Sequence, residues 1–231
     1  GKNASSYGKE VAGVDAVLSE NNPDYIDAPF YTNHDQARSA GFYSGEYAEN
    51  QAKMAIAMNQ MMTGNTFLYY GDELGMKGSG QDENKRCAMQ WSSDEAADGM
   101  CVGPNPSPIE MKYGSLEDQV DDPYSIYNFT KHTLKLRNQY PVIARGDTTF
   151  EEAYSDDNIC VLKKTYEGEE MLIVFNISSE ECTVDLTGLT VNGVDAKEAT
   201  MAGVLITQED TQIELTEGVA NMPIYSVLLL K

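Results

Sequence analysis

Basic residues are scarce. Sixteen Lys and Arg stand against 37 Asp and Glu in 231 residues, a formal charge of −21 at pH 7. Nucleic acid and anionic membrane surfaces both require a basic face, so this balance excludes them as expected partners. A neutral polyol such as a glycan is compatible with it. Acidity of this size promotes solubility, and an extracellular or cell-surface location is the expectation. No apolar run approaches the length of about 18 residues that a membrane helix needs, so no span is expected. No basic, apolar leader opens the chain. Its start at Gly1 and Lys2 falls inside a pattern, and the expectation is a cut piece of a longer polypeptide. Four cysteines do not make a disulfide framework at this length, and none are spaced Cys-x-x-Cys, which argues against zinc. Cys87 and Cys101 flank a loop, a placement compatible with one bridge under oxidising conditions; Cys160 and Cys182 lie in strand-like runs and read as buried thiols.

What the chain does contain changes character near residue 146. Before it, apolar residues recur at helical spacing over residues 14–18 and again over residues 46–62, where Ala, Ile and Met give nearly continuous contact. The Met-rich face reads as core. Asn21-Asn22-Pro23-Asp24 is a turn, residues 25–31 read as a buried strand, Gly64 stops the second helix, and residues 66–70 read as another strand. Strand, helix, strand with short connections is a βα unit of a parallel sheet. Residues 71–113 form a long irregular stretch, of the kind that is usually functional or disordered; residues 103–108, Gly-Pro-Asn-Pro-Ser-Pro, read as a stiff turn. Asp121-Asp122-Pro123 predicts a helix start, with Pro141 closing that helix. After residue 146, short strand candidates separated by turns predict an antiparallel β-sandwich. The Asn-x-Ser/Thr triplets at Asn3, Asn128 and Asn176 are not read as glycosylation sites.

Phe30-Tyr-Thr-Asn-His-Asp-Gln-Ala-Arg38 is the densest concentration of chemistry. It closely resembles the segment after strand seven of the α-amylase family, glycoside hydrolase family 13, with its Asn-His-Asp and an Arg three residues on. Residues 64–76, Gly-Asn-Thr-Phe-Leu-Tyr-Tyr-Gly-Asp-Glu-Leu-Gly-Met, resemble that family's strand eight. Residues 82–91, ending Met-Gln-Trp, are similar to the loop that follows in its oligosaccharide-cleaving branches. The resemblance implies the last portion of a (β/α)8 TIM barrel over residues 1–145, about helix six to helix eight, and a C-terminal β-sandwich over residues 146–231. The side chains at the carboxyl ends of barrel strands face the active site.

Retaining glycosidases place a carboxylate nucleophile and a carboxylic acid about 5–5.5 Å apart across the scissile bond. The family adds a third carboxylate that grips sugar hydroxyls as charge develops, and Asp35 matches it. The resemblance makes His34 a donor to sugar hydroxyls, places Arg38 near the same subsite in reach of Asp35 or the glycan, and makes Arg86 a holder of a terminal glucose or a loop anchor. Asn33 braces the strand end; Tyr31, Tyr43 and Trp91 either stack on sugar or pack the rim. No counterpart of the nucleophile or of the general acid is found, so the chain alone is expected to be inactive. It needs the rest of the barrel, or a second copy, to cover its open edges. The implied substrate is an α-glucan, starch or malto-oligosaccharide. α-Glucosidase or oligo-1,6-glucosidase specificity, a non-catalytic carbohydrate-binding or structural module, and a degenerate homologue are the alternatives. No cofactor is expected in this chain. Calcium belongs to many members of the family, and Asp82, Glu83 and Asn84 read as a solvated loop rather than its ligands.

Overall fold

The computed structural model describes residues 3–94, 96–101 and 109–231, so the stiff turn expected at residues 103–108 lies outside the described residues. The Asn3 side chain accepts from the Ser6 amide at 2.8 Å and starts α1, Ala4–Asn21. The apolar spacing predicts a helix only over residues 14–18; α1 reaches back to Ala4 because its earlier turns are buried through small residues. At Gly8 an added Cβ would lie 2.2 Å from the Phe150 ring and 2.9 Å from Cys160 Sγ. Such close approach leaves no apolar stripe to read.

Two extended segments follow, residues 25–32 and 65–70, running side by side through Asn65 N–H to Asp27 O and Phe67 N–H to Pro29 O, both 2.8 Å. Neither is a regular strand. Pro29 has no amide hydrogen, so the reciprocal bond of a parallel ladder is missing. Nor is the first segment buried as expected: Ile26, Ala28 and Phe30 alternate onto an exposed side, and Phe67 of the second segment is exposed too. α2, Ala48–Gln60, connects the two segments, with Met54, Ile56, Ala57 and the following Met61 buried. Gly64, at φ +97°, brings the second segment against the first; a Cβ there would lie 2.4 Å from Asp27 O.

α3, Asp82–Lys85, and α4, Leu116–Gln119, are single turns in the irregular stretch. α5, Ile126–Gln139, is capped by Ser125, whose hydroxyl accepts from Asn128 N at 3.2 Å. The expected cap, Asp122, instead closes its own turn by accepting from Tyr124 N at 2.9 Å. Pro141 ends α5 and, with its φ already helical, begins α6, Pro141–Arg145. Arg137 of α5 donates to Gln60 O at 2.5 Å, to Met62 O at 2.7 Å and to Gly64 O, satisfying carbonyls that the end of α2 leaves unpaired.

Ten strands follow: β1 Asp147–Phe150, β2 Ile159–Tyr166, β3 Glu169–Asn176, β4 Cys182–Asp185, β5 Thr190–Val191, β6 Val194–Asp195, β7 Met201–Leu205, β8 Glu214–Thr216, β9 Val219–Met222 and β10 Ser226–Leu230. Of these, β5, β6 and β9 are too short or too polar to be read from the pattern. The main sheet has the order β1-β2-β3-β10-β7; β4-β9-β8 forms a second sheet, β5-β6 is a hairpin, and every pairing is antiparallel. In the main sheet Cys160, Leu162, Ile173, Phe175, Val227 and Leu229 pack with α1, α2 and α5 residues such as Val11, Met54 and Phe129. The alternate residues Val161, Leu172, Val174, Leu228 and Leu230 pack on Val184, Leu186, Val191, Ala220 and Met222. Burial on both faces explains why these strands read as unbroken apolar runs. The helix-side cluster crosses residues 145–146 without interruption, so the helical part and the strands share a core. The triplet asparagines are structural: Asn128 and Asn176 donate to backbone carbonyls, and Asn176 is fully buried. All four cysteines are free, with Cys160 buried and Cys101 exposed. Among the described residues no helix is long and apolar enough to cross a membrane.

Lys164 stands out on the helix-facing side of β2. It is fully buried, donates to Thr63 Oγ1 and Thr148 Oγ1 at 2.7 Å each, and faces Asp15 of α1. Burial lowers its ammonium to about 7. The unfolded chain therefore binds the extra proton above that value, and stability rises with pH from there. Lys164→Met is expected to remove this rise in urea midpoints measured between pH about 7 and 9. Gly8→Ala is expected to cost about 1–3 kcal/mol by overpacking against Phe150, with Phe150→Leu restoring part of it in the same unfolding assay.

Candidate active site

The first extended segment ends at Thr32, and the next three residues turn sharply. Asn33 Oδ1 accepts from Asp35 N at 2.9 Å and from Gln36 N at 3.2 Å, so the asparagine braces the turn. Its neighbours project into solvent: the His34 side chain is 62% exposed and that of Asp35 67%, with His34 Nε2 3.4 Å from Asp35 Oδ2. The long loop after the second segment returns over this tip. Arg86, just past α3, donates from Nη2 to Asp35 Oδ1 at 3.0 Å and from Nε to His34 O at 3.2 Å. Lys85 Nζ donates to Asp35 O at 3.1 Å. Asp82 completes the group, accepting from Lys85 at 3.1 Å with Arg86 3.7 Å away; the Lys85 hydrogen bond and the two cations hold its carboxyl below the usual range. Three of the four residues singled out from the sequence, His34, Asp35 and Arg86, thus meet at one exposed tip.

Arg38 does not join them. It is 0% exposed. Its guanidinium lies 4.8 Å from the Tyr69 ring centroid and 4.5 Å from that of Tyr70, and Nη1 donates to Tyr70 O at 2.6 Å. Its backbone N–H donates to Gly78 O at 2.9 Å. This arginine is an anchor beneath the loop, out of reach of a glycan, because the aromatic pair that ends the second segment encloses it.

This arrangement sits in a known frame. The model of the α-amylase catalytic domain matches residues 10–146, more than half of the chain. The chain belongs to the α-amylase family. It is 31% identical over 168 residues to Alpha-amylase 3 of Dictyoglomus thermophilum, covering 72% of this chain and 33% of that protein. It is 26% identical over 196 residues to the oligo-1,6-glucosidase of Parageobacillus thermoglucosidasius, covering 67% of this chain and 34% of that one. Eubacterium rectale Amy13B superposes with a TM-score of 0.91 at 47% identity, over 99% of this chain and 43% of the other. The chain thus spans about a third of the length of these curated relatives and under half of the solved structure. Its two extended segments and their helices are part of a barrel.

Within this family frame, Tyr31 and Tyr43 pack against Ala52, Ile56 and Ile126 rather than facing the tip, while Trp91 is exposed. Asp82, Glu83 and Asn84 do not fit calcium, since the carboxylate of Asp82 is already engaged by Lys85 and Arg86. Among the described residues no group of His, Cys, Asp and Glu is arranged to hold a metal. Sequence reasoning passed over Asp72. It is 2% exposed, accepts a short hydrogen bond from Thr32 Oγ1, and is pushed up to about 7, chiefly by burial. Its place in Gly71-Asp72-Glu73 offered a weak signal, two acids in a tight turn, but nothing in the pattern says which of the two turns inward.

The contrast between the two arginines is measurable. Arg38→Met is expected to lower unfolding free energy by about 2–4 kcal/mol, leaving Tyr70 O unpaired in the interior. Arg86→Ala, which breaks an exposed pair, is expected to change it by less than about 1 kcal/mol.

Proposed function

We propose that this chain is the C-terminal part of a retaining α-glucan hydrolase acting on the α-1,4 bonds of starch or malto-oligosaccharides. The observation that carries the reading is the exposed Asp35 carboxylate, held at the end of an extended segment between His34 and Arg86. In this reading Asp35 accepts hydrogen bonds from sugar hydroxyls that strengthen as the ring flattens toward an oxocarbenium ion. His34 donates to the same ring. Arg86 holds the Asp35 carboxylate aimed through its hydrogen bond, and is itself exposed enough to meet a terminal glucose. The nucleophile and the general acid come from barrel strands that this chain does not contain, so by itself it binds or assembles rather than cleaves. The exposed Ile26, Phe30 and Phe67 are the side that the rest of the barrel, or a second copy, covers. Residues 1–145 are the barrel part and residues 146–231 the C-terminal sandwich, formed by the main sheet and the β4-β9-β8 sheet. The acidic surface supports an extracellular or cell-surface setting. The similarity to an oligo-1,6-glucosidase supports α-1,6 specificity as the second reading.

The test is a chimera in which this chain replaces the matching part of Eubacterium rectale Amy13B, to which it is 47% identical. Hydrolysis of maltoheptaose is expected, with Asp35→Asn lowering kcat about 10²- to 10³-fold and leaving KM nearly unchanged. Turnover of isomaltose with none of maltoheptaose would establish the second reading, and full activity in Asp35→Asn would exclude both.

A further inference from the structure

The loop that presents Asp35 has two feet, Thr32 and Arg38, and both rest on the end of the second extended segment. Thr32 Oγ1 donates to Asp72 Oδ2 in a short bond. Arg38 is enclosed by Tyr69 and Tyr70, and its Nε and Nη2 are buried without a hydrogen-bond partner among the described residues. The other oxygen of Asp72, Oδ1, is likewise buried and unpartnered. An acid and a base, both enclosed and incompletely paired, therefore lie beneath the turn, with the Arg38 guanidinium held at Tyr70 and Gly71 immediately before Asp72. Buried polar groups left this way are costly unless their neighbours hold them to a purpose.

We infer that Asp72 is a positioning residue: gripping Thr32 at one foot of the turn, beside the Tyr70–Gly71 step that holds Arg38 at the other, its carboxyl group seats the Asn33–Asp35 tip. Asp72 is 2% exposed, so it acts on the tip through its neighbours. The inference rests on the reading of Asp35 as a substrate-contacting carboxylate for its meaning, but not for its test.

The seat is proton-linked. The groups facing Asp72 are Arg38 from the loop, Glu73 from its own turn, and the phenols of Tyr31 and Tyr43. Both phenols are shifted upward by burial and stay neutral over the range that matters. Burial and the Glu73 charge raise Asp72, against the Thr32 hydroxyl and the Arg38 guanidinium, and burial prevails. The value rises from 3.8 when solvated to about 7 when seated. The seated state therefore binds the extra proton between those values, and lifting the loop to hydrate the carboxylate grows easier as pH rises through them. Below the solvated value the seat is fully firm; above about 7 it is loosened by a constant amount.

Hydrogen exchange at the Asp35, Gln36 and Arg38 amides, measured by NMR on the full chain in a His34→Gln background, reads this directly. That background removes the neighbouring imidazole. Between pH about 4 and 7 these amides are expected to exchange with an extra pH dependence of up to about tenfold per unit beyond the intrinsic chemistry, levelling off above. Asp72→Asn keeps an oxygen for Thr32 but cannot ionise, and is expected to abolish the extra dependence. Thr32→Val keeps the ionisable group and is expected to raise exchange about tenfold above pH about 7, the worth of one hydrogen bond, and by less at lower pH, because the bond favours the ionised carboxylate. Should Asp72→Asn fail to fold, Thr32→Val carries the test alone. The inference is overturned if the extra dependence survives Asp72→Asn, or if Thr32→Val exchanges like the parent. A merely structural Asp72 would shift exchange equally at all pH and would give the first of these results. Neither outcome depends on glycan hydrolysis, so a failure here is separate from a failure of the functional reading.

Discussion

One guanidinium sets the geometry on which the site depends. Arg137 reaches from α5 to three carbonyls at the end of α2, those of Gln60, Met62 and Gly64. A helix end leaves such carbonyls without partners, and in a buried turn they need a donor of this reach and fork geometry. Holding them fixes where the second extended segment begins. That segment then carries Tyr69, Tyr70 and Asp72 to the places where they enclose Arg38 and accept from Thr32. Asp35 stands at the far end of this succession. Its exposure to solvent is the product of several groups that have none.

The second constraint is the main sheet. With helices on one face and a smaller sheet on the other, nearly every residue of β3 and β10 is buried, and alternate side chains serve different cores. The barrel part and the strands therefore stabilise one another, while the opposite side of the barrel part stays open along Ile26, Phe30 and Phe67. The chain, which spans less than half of its structural relative, keeps the core it shares with its own strands while these apolar side chains stay exposed. The buried Lys164, bonded to threonines from both parts, marks the seam.

Legibility differed between the two kinds of contact. Strand runs such as Met171 to Phe175 were readable because burial on both faces leaves an unbroken apolar signature. β5, β6 and β9 were not, since two to four residues with polar members carry no period. α1 was seen only in part, because tight packing at Gly8 replaces apolar bulk with absence of bulk. α5 starts a few residues past the expected cap because Asp122 and Ser125 are both competent caps, and only the path of the chain decides which one meets a helix amide. At the site, the Asn-His-Asp tip was legible as a motif, whereas the fate of Arg38 was not: in sequence it looks like Arg86, a cation near a carboxylate.

The sequence by itself determined the family, the residue types at the tip and the change from helical to alternating pattern near residue 146, since each of these is local and written in neighbouring residues. Only the tertiary structure decided which charges face water. Arg38 and Asp72 are buried while Arg86 and Asp35 are exposed, because burial is a property of what other segments place overhead. It is that enclosure, and not residue type, that turns one arginine into an anchor and one aspartate into a proton-sensitive seat.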